Sequence, residues 1–216
     1  MVTGSLARRM DLSRPPHGGS ARHRVGSFEF VVETVRGGVV LLVLDGKEAR
    51  RWFLGLGPQD ALAVEATVPQ HPLRLVLRDR VALAPGAALH GYVSVPLQPS
   101  VLLLREGVPL GTIAGVQPDS LAAEWSDAEG AVVLRTLVHF HHRIPQHADP
   151  FTAVVPLALH NRSDAMLHPT ELPLRLRSED LRELRKRLIA APRRLVAEGA
   201  ERWTEVVRSW RAEVRA

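Results

Sequence analysis

The side chains best suited to chemistry are gathered in Val138-His139-Phe140-His141-His142, with His147 close behind. On a β-strand, residues two apart share a face, so His139 and His141 can offer their imidazoles to one divalent metal. His90, on a candidate strand after Pro85-Gly86, is the expected third ligand, with His160 as an alternative. Hydrolytic chemistry would also need an acid, and Glu124, Asp127 and Asp149 are near only in sequence. The competing reading makes these histidines strand-end residues at a solvated rim.

No stronger catalytic signature is present. The chain lacks a glycine-rich phosphate loop followed by Lys-Ser/Thr, a Gly-x-Ser-x-Gly elbow and a His-Glu-x-x-His helix. It has no cysteine, which excludes disulfides, a thiol nucleophile and Cys-ligated zinc or iron–sulfur clusters. Asn161-Arg162-Ser163 matches a glycosylation acceptor but reads more simply as a turn.

A second candidate lies near the C-terminus. Trp203 and Trp210, with Arg202, Arg208 and Arg211, suit a contact surface for a protein partner or a membrane. The alternative is that this stripe packs on the rest of the domain. Of the 28 basic residues only Lys47 and Lys186 are lysines, and 23 acids leave a net charge of +5. Most arginines are interleaved with acids, which argues against a nucleic-acid surface. Leu73, Leu75 and Leu77 alternate with Arg74, Val76 and Arg78, a core face against a solvent face.

These residues must be positioned by about ten short β-strands. Phe28, Phe30 and Val32 alternate with Glu29, Val31 and Glu33, and Asp45-Gly46 supplies a tight hairpin. Further strands are expected over 61–68, 73–83, 88–95, 100–105, 111–116, 131–142, 151–160 and 171–177, parted by turn residues. Prolines in Val95-Pro96-Leu97, Val108-Pro109-Leu110, Val155-Pro156-Leu157 and Leu172-Pro173-Leu174 mark strand ends, edges or bulges.

The predicted fold is therefore mainly β. An antiparallel β-sandwich or barrel over residues 27–177 follows a flexible basic arm (1–26) and precedes one or two amphipathic helices (178–216). Ser178-Glu179-Asp180 resembles a helix start, Leu181, Leu184 and Leu188 keep helical spacing, and Pro192 kinks or restarts the helix. No apolar run approaches the roughly 20 residues that span a bilayer, and no secretory leader pattern is visible. Cytoplasmic residence is expected, with peripheral contact at the inner membrane face as a variant.

Val93-Ser94-Val95-Pro96-Leu97, and the block from Val155 to Asp164 ending in Leu172-Pro173-Leu174, resemble an uncharacterised, mainly archaeal family catalogued as domain of unknown function 432. The resemblance implies a β-rich protein with no assigned activity and no catalytic residue to carry over. It also implies a membrane-linked partner such as a small mechanosensitive channel. Pro85-Gly86 with His90, and His139-x-His141, resemble two cupin-barrel elements, in reversed order and without the downstream glutamate.

The leading expectation is a non-enzymatic binding or accessory protein that docks through its C-terminal helix and needs no cofactor. Its rival is a metal-dependent β-barrel enzyme built on His139 and His141.

Overall fold

The computed structural model describes residues 9–46, 48–126, 130–146, 149–199 and 202–207. Among them are eighteen β-strands in four sheets and no α-helix. Strands are numbered in chain order.

The first sheet runs β1 (Met10–Leu12), β6 (Asp60–Thr67), β9 (Gln98–Arg105), β10 (Val108–Gly115), all antiparallel. The second is the meander β2 (Ser20–Val25), β3 (Phe28–Val35), β4 (Gly38–Asp45), β5 (Glu48–Leu54). Its inner face carries the alternation read from the sequence: Phe28, Phe30 and Val32 are buried while Glu29 and Glu33 stay partly exposed. Gly46 has φ +57° at the β4–β5 hairpin, as Asp45-Gly46 requires.

The third sheet is ordered β11 (Ala122–Ser126), β12 (Ala131–Val138), β7 (Leu73–Leu77), β14 (Glu171–Leu174). The fourth joins β15 (Leu181–Leu184), β16 (Arg187–Ala190), β13 (Thr152–Asn161), β17 (Arg193–Ala197) and β18 (Trp203–Val207), and β8 (Ala88–Pro96) also pairs with β13. One core joins the sheets: Phe28 of the meander meets Phe151, just before β13, edge-on at 5.3 Å.

Three expectations need correction. The first 26 residues are not all an irregular arm, because β1 pairs with β6 and β2 with β3. Nor is the fold purely antiparallel: β12 runs parallel to β7, and β13 parallel to both β16 and β17. Finally, where helices were expected over 178–216, the described residues form a 3-10 turn at Ser178–Asp180 followed by strands β15–β18, and residues 200–201 and 208–216 lie outside the described residues.

The helical spacing of Leu181, Leu184 and Leu188 belongs to a hairpin. Arg185 and Lys186 turn with φ +50° and +65°, and β15 pairs back on β16. Good helix formers in this stretch are overridden because β16 and β17 gain ladder partners on the exposed edge of β13. Among the described residues no helix is long and apolar enough to cross a membrane.

The prolines fall where the ladder permits. Pro173 lies on the edge strand β14, Pro96 ends β8, and the β10 register shifts between Pro109 and Gly111. Pro156 lies inside β13, but opposite a break between β16 and β17. There Ala190, Ala191 and Pro192 span what Val155 and Pro156 span on β13, a one-residue bulge.

Candidate functional site

The histidine segment is a bridge between sheets rather than a continued strand. Beyond Val138 the chain leaves β12, and His141 exchanges two backbone hydrogen bonds with Tyr92 of β8, each 2.8 Å. Gly91 makes the crossing feasible. A Cβ there would fall on the Phe140 ring and 2.6 Å from the His141 carbonyl oxygen. Asp79, just past β7, accepts the Phe140 N–H at 2.7 Å and lies 3.3 Å from His139 Nδ1. The Phe140 N–H, followed by His139, holds the Asp79 carboxyl below the usual aspartate range.

His139 and His141 do come close, with ring centroids 6.1 Å apart. The nearby group that sequence reasoning missed is Asp79, reached by the parallel pairing of β7 with β12. His90 instead faces outward from β8 beside Ala158, and His160 follows on the same face of β13. Among the described residues no group of three His, Cys, Asp or Glu side chains is placed to hold a metal. The arrangement positions a loop through a carboxylate.

On the outer face of the fourth sheet lies a groove of about 330 Å³, lined by His90, Gly91, Tyr92, His142, Pro156, Leu157, Ala158, Pro192, Arg193 and Arg194. Register explains its shape. His90, Ala158 and Arg194 form one cross-strand row, and Tyr92 and Pro156 the next, so their side chains share a face. Ala158 is a small residue between two long polar ones, and the bulge at Pro192 opens the neighbouring row. No acidic residue lines the groove. Among the described residues none is hydrogen-bonded or ion-paired to the Arg194 or His90 side chains.

Arg193 enters this groove only by its position in β17; in register with Leu157 it faces the opposite, inner side of the sheet. Its side chain is fully buried, 2.6 Å from Asp180 and 3.6 Å from Glu205. Burial pushes the Glu205 carboxyl above the usual glutamate range, against the opposing pull of Arg193 and an N–H from Arg175.

The predicted C-terminal contact residues divide accordingly. Trp203 is half-buried on β18 and packs against the core, so the packing alternative holds for it. Arg202 is exposed, and Trp210, Arg208 and Arg211 lie outside the described residues.

A second groove of about 560 Å³ lies on the outer face of the third sheet and includes Val76, Arg78, Asp119, Glu124, Arg135 and Leu137. Two of its charges, Arg135 and Glu124, pair with each other. Arg135 donates to Glu124 at 3.0 Å and to Glu171, and Arg74 lies 3.7 Å from Glu171. The arginine-bearing face of Leu73–Arg78 is thereby partly neutralised by acids from β11 and β14.

No family model, no curated protein and no solved structure matches the chain.

Proposed function

We propose that the chain is a non-enzymatic binding or accessory protein whose ligand is a small molecule held in the groove between β8, β13 and β17. One observation carries this reading. A concave site of about 330 Å³ brings Tyr92, His90, His142 and Arg194 around the small side chain of Ala158. That volume lies at the lower end of the range for small-ligand sites, which are mostly apolar with a few convergent polar groups. The resemblance to domain of unknown function 432 would make the groove a sensing or assembly element for a membrane-linked partner. We further propose that the four sheets together form a sandwich or barrel, with this groove on its outer face.

A fragment screen read by protein-observed NMR tests it. Hits should shift amides of residues 90–92, 157–158 and 193–194 together. Hits confined to the face of β11 and β12, or none at all, would refute the groove as the binding site.

A further inference from the structure

We infer that the groove on the fourth sheet is specific for a small ligand with a flat apolar body and one terminal oxyanion, a carboxylate or a phosphate. The inference rests on the binding reading above and adds the chemical class.

The polar half of the groove is the row His90–Ala158–Arg194. Adjacent strands are about 4.8 Å apart, so His90 and Arg194 stand on backbones about 10 Å apart across the single methyl of Ala158. An oxyanion placed over that methyl can be reached from both sides, by a planar guanidinium fork and by an imidazole N–H. Arginine matches carboxylate and phosphate geometry with paired donors. The Arg194 guanidinium is open to such a partner, since no described residue takes its hydrogen bonds. His142, also lining the groove, adds a further ring nitrogen.

The lining contains no carboxylate to repel an anion or to occupy the arginine. In this the groove differs from the larger one on the third sheet, where Glu124 and Glu171 hold Arg135.

The apolar half is the adjacent row. Tyr92 pairs with Pro156, and Pro192 lies at the bulge beyond, so a ring and two pyrrolidines form the remaining wall. Residues two apart along a strand are separated by about 6.7 Å, roughly the distance from the centre of a benzene ring to an attached oxyanion plus one van der Waals contact. Flat rings stack well on tyrosine and proline faces.

The test uses the full chain with phenyl phosphate, benzoate and, as the uncharged control, benzyl alcohol. Binding is followed by amide shifts in wild type, Arg194→Gln, His90→Gln and Ala158→Leu, each first checked for a native-like spectrum. At least one anion should bind at the groove, and Arg194→Gln should weaken it about tenfold or more, the loss of a charge-assisted hydrogen bond. Benzyl alcohol should bind weaker by a similar factor. Preference between the two anions assigns the carboxylate or the phosphate.

If all three probes bind equally and Arg194→Gln changes nothing, the oxyanion inference fails. Groove binding itself then survives only if Ala158→Leu, which fills the floor, abolishes binding. Should Ala158→Leu fail to fold, Tyr92→Ala replaces it as the variant that removes the apolar wall. If no probe shifts the groove amides, or the shifts fall elsewhere, the inference is overturned.

Discussion

Replacing Asp180 by Asn removes the closest counter-charge of Arg193, the most deeply buried cation among the described residues, while changing little else. Asn keeps an oxygen that can accept the Arg177 N–H, which Asp180 accepts at 3.2 Å. Among the described residues Arg193 would keep one counter-charge, Glu205, at 3.6 Å. Its side chain is 0% exposed and that of Asp180 13%, so the pair at 2.6 Å is shielded from water. Breaking a buried ion pair costs about 3–5 kcal/mol because the surviving charge is left uncompensated. The remaining attraction of Glu205 favours the lower end, about 3 kcal/mol. In a chain of this size that corresponds to a drop of roughly 6–12 °C in Tm.

Arg22→Gln is the control. Arg22 and Glu29 are 3.1 Å apart, but Arg22 is 72% exposed, and such surface pairs contribute about 0–1 kcal/mol. Urea unfolding of wild type and both variants measures the contrast. If Asp180→Asn costs no more than Arg22→Gln, the buried pair is not what holds β15–β17 on the core, and the reasoning fails.

Glu205→Gln should gain on wild type as pH rises from about 4 to about 7. The glutamate titrates above its ordinary value in the folded chain, so its favourable contribution is present at low pH and is lost as pH rises through that value. A variant that loses ground over this interval in urea midpoints would mean that attraction to Arg193 outweighs burial. Gly91→Ala should destabilise by about 1–3 kcal/mol, since a Cβ collides with Phe140 and the His141 carbonyl. Its amide shifts should concentrate at residues 139–142, and an unperturbed spectrum with unchanged Tm would contradict the bridge between sheets. Asn161→Asp should cost at least about 3 kcal/mol. The Asn161 side-chain amide donates to the carbonyls of Leu83, Ala84 and Ala165 at 2.9, 3.1 and 2.8 Å, where a carboxylate would meet three acceptors. A Tm within error of wild type would exclude that network.

Legibility followed the range of the signal. Period-two alternation in Phe28–Glu33 and the Asp45-Gly46 turn are local, and both are found in the structure. Strand β11 was missed because Ala122–Ser126 is almost wholly exposed and shows no alternation of apolar residues. Strands β15–β18 were misread because Leu and Arg at mixed spacings fit a helix as well as two hairpins; the decisive partner, β13, lies about 35 residues earlier. The pairing of His139 with Asp79 and the row from His90 to Arg194 depend on parallel ladders that local pattern cannot reveal. Asn161 was legible as a turn residue, though not as a buried plug with 0% exposure.

The place of β13 between β8 and the two strands that follow it has a consequence for biosynthesis. During translation β13 can pair with β8 as soon as it leaves the ribosome, but its other edge stays open until β16 and β17 have been made. For that interval an apolar strand with unpaired backbone groups is available to any neighbouring chain. Pro156 and the bulge at Pro192 interrupt that edge at mid-length, which shortens the uninterrupted stretch a foreign strand could copy. A nascent chain released before Ala197 should therefore aggregate rather than form a smaller, stable β domain.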